Sequence, residues 1–291
     1  MLSKRNPFSF PMPIGLALAA MLLCAPPVYC QTRAQVESHL AQFPPDQHAY
    51  ERFRYWLSMQ PGDSQHDPDL QGKYRAYLKD QGFAESEIEA QFKVVAERSR
   101  ADREAQRWNR ILTAEQPNFN TNPNAFLVEM VRGRKPGTAL DVGMGQGRNA
   151  IWLAQQGWSV TGFDPAGKAV DLARQTAQRL GLRLNTEVTT GERFDFGENR
   201  WDLILFSYAG VREMAEKVER SLKPHGLVVV EAFHRDVTKG RPLGGGVVFE
   251  AGELMKLFPS LRVVRYEEPM AVADFGQQRV RVVRYCGERH E

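Results

Sequence analysis

The sequence predicts an α/β fold: a doubly wound, mostly parallel sheet that ends in an antiparallel hairpin and follows a helical N-terminal extension. Three observations lead there. From Thr138 onward, short β-branched runs alternate with segments of helical period. A glycine-rich turn joins the first such run to the first such helix. The last two strand-like runs are joined by a connection too short to need a crossover helix, so they pair antiparallel.

The strand-like runs before that hairpin are Thr138–Val142, Ser159–Phe163, Leu184–Thr189, Trp201–Phe206 and Leu227–Phe233. Helix-period segments fall between them at Arg148–Gln156, Lys168–Leu180 and Val211–Leu222, an alternation that implies a parallel sheet covered on both faces. Leu261–Tyr266 and Arg279–Tyr285 form the terminal hairpin. Upstream, Tyr50, Phe53, Trp56 and Leu57 give His48–Met59 one apolar face. Leu70, Tyr74, Tyr77 and Leu78 do the same for a second helix. A third carries Ile88, Phe92, Val95 and Ala96 and starts from Ser86 as N-cap. The charged stretch Arg98–Arg110 continues it as a solvated helix. These aromatics read as packing residues, and the expected organisation is residues 1–30 as leader, 31–117 as helical extension and linker, and 118–291 as the α/β domain.

Composition sets bounds. With 42% hydrophobic and 25% charged residues, the chain is of ordinary globular type. Its net charge of +3 is small and spread out, and the basic residues before the domain interleave with acidic ones. A clustered basic face is lacking, which argues against a nucleic-acid partner. Lys4 and Arg5 precede the apolar stretch Ile14–Ala25, followed by Pro26, Pro27 and a polar exit. A basic start and a short apolar core describe a secretory signal peptide, too short for a comfortable membrane span. The expectation is an exported or periplasmic protein with no span in the mature chain; a cytoplasmic or membrane-anchored protein is the alternative. Oligomeric state is not legible.

The chemistry concentrates in Ala139–Asn149. Gly143, Gly145 and Gly147 let the chain turn tightly after the first strand and let backbone approach a ligand. In a doubly wound sheet that turn lies at the carboxyl edge, where ligands bind. The third glycine comes one residue earlier than in the dinucleotide fingerprint, with Arg148 where that fingerprint needs glycine. Asp141, two positions before the first glycine, would repel a pyrophosphate but favour an ammonium. Asp164 ends the next strand, where a carboxylate accepts hydrogen bonds from both hydroxyls of a ribose. Adenosine at one end and a zwitterionic amino acid at the other describe S-adenosylmethionine. No metal-ligating constellation accompanies them.

The run LDVGMGQGRNAIWLAQQGWSVTGFDPAGKAVDLA resembles motif I and the following strand of class I S-adenosylmethionine-dependent methyltransferases, which have a Rossmann-like sheet. In particular it resembles the branch of tellurite-resistance and thiopurine-type small-molecule enzymes, with Met144 in place of the usual Cys, a backbone-lined position where the change should matter little. The resemblance extends over about 118–288 and implies methyl transfer to a small molecule by in-line displacement. It also implies that Gly191, Glu192, Arg193 and Phe194 border the adenine, Glu192 as the polar partner and Phe194 as a stacking surface. Ser207 and Tyr208 would border cofactor and acceptor, and the segment 118–126 would either fold over the cofactor as a lid or serve as a plain linker.

Other roles stay open. Asn149 either caps its helix or meets the ligand, and Arg148 orients the loop or meets a carboxylate. His234, at the end of the fifth strand, is the candidate base or acceptor-positioning group, with Arg235 beside it for an anionic acceptor. Tyr208 and Phe233 would form an aromatic wall near the sulfonium. Gly244–Gly246 reads as a mobile rim loop or as a plain turn. Two competing functions remain: a nicotinamide-dependent oxidoreductase, and a non-catalytic S-adenosylmethionine-binding protein.

Overall fold

The computed structural model describes residues 32–61, 67–238 and 245–291, so the expected leader and Gly244 lie outside the described residues. Contacts divide the chain into two compact units between Ser99 and Arg100, inside a helix and not at Asn118.

The first unit is helical: α1 (Arg33–Leu40), α2 (His48–Ser58), α3 (Leu70–Asp80) and the start of α4 (Glu85–Leu112). Helix α1 was not anticipated, although Thr32 and Gln35 form a capping box at its start. Ser86 is not an N-cap. Helix α4 begins one residue earlier, and Glu87 accepts the N–H of Ala84 at 2.8 Å, so a carboxylate performs the capping expected of the hydroxyl. Trp56, Tyr74, Leu78, Ile88 and Val95 are buried together, as the helical spacing predicts. Arg52 is buried beside them and donates to Gln91 (2.7 Å) and Glu37 (2.9 Å).

The second unit is built on a nine-stranded sheet: β1 (Thr138–Val142), β2 (Ser159–Phe163), β3 (Asn185–Glu187), β4 (Trp201–Ser207), β5 (Leu222–His234), β6 (Val248–Phe249), β7 (Leu261–Glu267), β8 (Met270–Val272) and β9 (Arg279–Arg289). The order is β3-β2-β1-β4-β5-β9-β7. The first five strands run parallel; β9 is antiparallel to both β5 and β7. Helices α5 (Ala125–Met130) and α6 (Arg148–Gln155) cover one face over Ala139, Leu203, Leu205, Leu227 and Val229. Helices α8 (Ala215–Ser221) and α9 (Glu253–Leu257) cover the other over Leu140, Ile204, Phe206, Val228 and Val230. Alternate residues of each central strand thus serve opposite layers. Helix α7 (Gly167–Arg179) buries Ala169, Val170, Ala173 and Ala177.

Strands β1 and β2 have the expected bounds, and the terminal hairpin pairs as expected. Differences lie at the margins. Strand β5 begins at Leu222, five residues before the expected Leu227, with a register irregularity against Trp201–Leu203 and His225 at φ 63°. The Val211–Leu222 helix is shorter, a 3₁₀ turn followed by α8. Strands β6 and β8 were not anticipated; at two and three residues they are too short to show a period. No helix among the described residues is long and apolar enough to cross a membrane.

Candidate active site

Strand order reverses at β1, which lies between β2 and β4, so the turn after β1 opens at the topological switch point of the sheet. Gly143, Gly145 and Gly147 all have left-handed backbone, with φ of 67°, 54° and 80°. Space is as restrictive as conformation: a Cβ on Gly143 would lie 2.9 Å from the Ala209 methyl, and one on Gly147 would lie 2.9 Å from that of Ala173. The turn is wedged between the end of β4 and α7, and only glycine fits. Met144 is not merely backbone-lined. Its side chain is buried against Gly162, where a Cβ would come within 2.4 Å of the sulfur, so the Met requires a glycine on β2.

The two carboxylates differ. Asp141 is 1% exposed, and its Oδ2 has no hydrogen-bond partner. Burial pushes its pKa up to about 7; Arg148 and the Ala150 amide pull the other way, and Asp164 adds to the rise. An unpartnered carboxylate oxygen in the interior is costly, and a buried titratable group of this kind is characteristic of a ligand site. Asp164 is buried too, but its oxygens accept the N–H groups of Gly145 (2.9 Å) and Ala166 (2.8 Å). It therefore ties the glycine turn to the start of α7. Burial raises its pKa, against those two amides. Each oxygen keeps a second lone pair for a ligand hydroxyl.

A polar row crosses the carboxyl end of the sheet on the α5–α6 face. Ser207, Glu231, Arg284 and Glu267 are in register on β4, β5, β9 and β7. Glu231 accepts from Arg284 (2.6 Å) and from Asn124 (2.8 Å), and Arg284 also donates to Glu267 at 3.1 Å. Arg148 donates to Ser207 (2.9 Å), to the Asn122 carbonyl (2.8 Å) and to Asp274 (2.6 Å), both ionic side chains being only 9% exposed. Asn124 is the hub. Its Oδ1 caps α5 by accepting from Leu127, while its amide donates to both Glu231 and Asp274. Asn149 accepts the Asn124 N–H at 2.8 Å and so holds that cap in place. Asn124, Glu231, Asp274 and Arg284 were missed from sequence. Glu231 did leave a signal, a charge inside an otherwise apolar strand. Asp274 left none, since its partner Arg148 is 126 residues away.

The remaining candidates scatter. Tyr208 has left-handed backbone (φ 58°), an uncommon state for an aromatic residue that supports itself here on a hydrogen bond from its N–H to Glu231 O. Burial and the carboxylates of Glu231 and Asp274 push its pKa up, so the phenol stays protonated and is no base, and its oxygen accepts the Asp274 N–H at 3.3 Å. Its ring meets Phe233 edge-on at 4.8 Å and lies 5.6 Å from Phe275. His234 is buried on the opposite side of β5 from Glu231. Its Nδ1 accepts from the Asp236 N–H at 3.1 Å, and Nε2 lies 3.7 Å from Glu268. Arg235 is paired with Glu250. Phe194 is a core residue stacked on Phe163 at 4.3 Å, and Glu192 is exposed, its carbonyl accepting from Lys217. The structure thus gathers Asp141, Asp164, the glycines, Arg148, Asn149, Ser207 and Tyr208, and leaves His234, Glu192 and Phe194 outside their contacts. Cys286 is buried, which pushes its thiol up to about 12 and away from nucleophilic use. No cluster of His, Cys, Asp and Glu among the described residues is arranged to hold a metal ion.

The segment expected as a lid is pinned to the loop after β8. Phe119 bridges Phe275, Asn120 N–H donates to Asp274 O at 2.7 Å, and Gly276 N–H donates to Asn118 O at 2.9 Å. Between this segment and that loop lies a cavity of about 490 Å³, with Asn124, Glu231, Asp274 and Arg284 in its wall. Gly245 and Gly246 belong to a 3₁₀ turn.

Residues 139–226 match the model of a family described as a methyltransferase domain. The chain is 25% identical over 162 residues to the probable S-adenosyl-L-methionine-dependent methyltransferase TehB of Haemophilus influenzae, covering 52% of this chain and 56% of that protein. It is 32% identical over 85 residues to the ribosomal RNA small subunit methyltransferase C of Alcanivorax borkumensis (28% of this chain, 26% of that one). To the ubiquinone biosynthesis O-methyltransferase of Rickettsia prowazekii it is 30% identical over 116 residues (38% and 45%). The crystal structure of TehB from Haemophilus influenzae shares the fold, with a TM-score of 0.50 at 20% identity over 57% of this chain and 62% of that one. The chain therefore spans between about a quarter and just over half of the length of these curated relatives. The family match runs from β1 into β5 and takes in the glycine turn, both carboxylates and the end of β4. Residues 139–226 are thus a methyltransferase domain, and over them the chain is similar to the class I S-adenosylmethionine-dependent methyltransferases near the branch of TehB.

Proposed function

We propose that the chain moves the methyl group of S-adenosylmethionine to an uncharged small-molecule acceptor held in the cavity beside Asn124. The observation that carries the reading is the buried, unpartnered Oδ2 of Asp141 behind a turn that only glycine can form. An ammonium is the group that would satisfy that oxygen, and the lone pairs left on Asp164 suit the ribose hydroxyls. The residues present fit the cofactor. When bound, it supplies a methyl group on a sulfonium that is already activated for displacement.

The protein's share is then alignment and exclusion of water. Asp141 and Asp164 fix the two ends of the ligand, and the glycines let backbone come close. Tyr208, with its proton retained, offers a donor and an aromatic face at the end of β4. His234 lies on the opposite side of β5 from Glu231 and does not line this cavity, so no role as base is assigned to it.

The acceptor class follows from the cavity wall. Arg284 is paired with Glu231 and Glu267, and Asp274 with Arg148. No ion in this wall is left to neutralise a charged ligand, whose desolvation would go uncompensated. That speaks against a phosphate-rich acceptor such as RNA. Thr121, Asn122 and Gln277 also line the cavity, and their side chains make no hydrogen bond with other described residues. They suit an uncharged ligand that donates and accepts hydrogen bonds.

Formation of S-adenosylhomocysteine from 2-mercaptoethanol, cysteamine and mercaptoacetate tests this with thiols that are respectively uncharged, cationic and anionic. The uncharged thiol should be favoured at least about tenfold in kcat/KM, the equivalent of about 1.4 kcal/mol. A preference for either ion would contradict the acceptor class. We also propose, from the leader, that the protein works outside the cytoplasm; fractionation of a tagged full-length chain would refute it by finding the protein in the cytoplasm.

A further inference from the structure

The groups that a cofactor must touch are shut away from solvent. Asp141 is 1% exposed, Asp164 is 5% exposed, and Gly145 is buried. What covers Gly145 is Leu112, in the last turn of α4. A Cβ placed on Gly145 would lie 3.3 Å from both Leu112 methyl carbons, so the isobutyl group rests on the side of the turn that the missing side chain leaves free. Leu112 and a ligand approaching Gly145 from that side would occupy the same space. Around it, Trp108, Ile111, Phe119 and Phe275 pack with Ala166 and Ala169, just beyond Asp164. Asn109 Oδ1 accepts the Lys168 N–H at 2.9 Å in the first turn of α7.

This cover is lightly held on one side and firmly on the other. In the last turn of α4 only Leu112 is buried; Trp108, Asn109 and Ile111 are half-buried, and residues 101–104 are exposed. Residues 113–116, which follow, are exposed and form no regular element. Then comes the anchored stretch, bridged at Phe119 to Phe275 and capped at Asn124. An exposed tether between a single buried leucine and a fixed bridge is the arrangement of a part that lifts while its neighbour stays.

We propose that the last turn of α4, with Leu112 as its tip, is a plug on the glycine turn, and that the chain binds its cofactor only after this plug withdraws. The proposal rests on the reading that the glycine turn is the S-adenosylmethionine site. A ligand that meets a mostly closed site binds with an affinity reduced by the closed fraction. Weakening the plug therefore tightens binding, the opposite of what loss of a pocket wall would do.

The test uses the full chain with Leu112→Ala, and Leu112→Met as a conservative control that keeps the apolar bulk. S-adenosylhomocysteine binding is followed by calorimetry and stopped-flow mixing, and hydrogen exchange of the 143–147 amides is followed without ligand. Leu112→Ala should bind about tenfold more tightly, through faster association, and its turn amides should exchange about tenfold faster; Leu112→Met should stay near the wild type. Weaker binding by Leu112→Ala, or unchanged association and exchange, would overturn the plug while leaving the cofactor site intact. If neither wild type nor variant binds, the cofactor reading falls and exchange alone decides: faster exchange upholds the seal, unchanged exchange removes it.

Discussion

Asp141→Asn is expected to make the protein more stable and its cofactor binding weaker. The carboxyl is held at about 7 by burial, against an ordinary value of 3.8, and that difference corresponds to about 4 kcal/mol as an upper bound. Because the folded value is the higher one, the native state holds the extra proton. The stabilising contribution is complete below about pH 4 and disappears as pH rises through about 7. At pH 8 the native state carries an ionised, half-satisfied carboxylate in its interior. Asparagine removes that charge and keeps an acceptor for the Ala150 amide, at the cost of an unpartnered NH₂. We expect a gain of about 1–3 kcal/mol at pH 8 and a flatter stability profile between pH 4 and 7, measured by denaturant unfolding. The same change removes the charge that faces the ammonium, so affinity for S-adenosylmethionine should fall by about 10- to 100-fold. A more stable protein that binds less well is the signature of a residue kept for function. A loss of stability at pH 8 with unchanged affinity would make Asp141 a structural residue.

The largest loss of stability is expected at Arg148. Its three hydrogen bonds reach the end of β4, the 118–124 segment and the loop after β8, and its ion pair with Asp274 is almost closed to water. Arg148→Ala leaves Asp274 with only the amides of Asn120 and Asn124. Removing one partner of a buried pair costs about 3–5 kcal/mol. For a unit of this size that lowers Tm by roughly 10 °C. Arg148→Lys should recover less than half, because an ammonium cannot reproduce the planar fork. Adding Asp274→Asn to Arg148→Ala should cost less than the two single losses summed, since the second change removes the charge stranded by the first. Scanning calorimetry of the four variants checks this; additive losses would mean that the pair is not coupled.

The parts of this fold that were readable are those where one residue type has one use. Glycines at left-handed positions, a carboxylate before them and another ending the next strand identify β1, its turn and β2 from local pattern alone. The parts that were not readable depend on partners far along the chain. Nothing near Asp274 or Asn124 announces a partner, because their hydrogen bonds join positions 150 residues apart. Phe194 has the composition of a stacking surface, but Phe163 already occupies its face. His234 has the right strand end and the wrong side of it, which alternation along β5 determines only once the strand's register is known. Leu112 reads as the last apolar residue of a charged helix; only the folded turn beneath it gives it a role.

The proposed S-adenosylmethionine site, the turn of Gly143, Gly145 and Gly147 with Asp141 and Asp164, is open to direct measurement. Calorimetric titration of the full chain at pH 8 with S-adenosylmethionine and, separately, with reduced nicotinamide dinucleotide tests it most directly. Saturable binding of the former at one site, weakened by Asp141→Asn, and none of the latter is the expected result. Binding of the nicotinamide alone, or S-adenosylmethionine binding indifferent to Asp141, would contradict it.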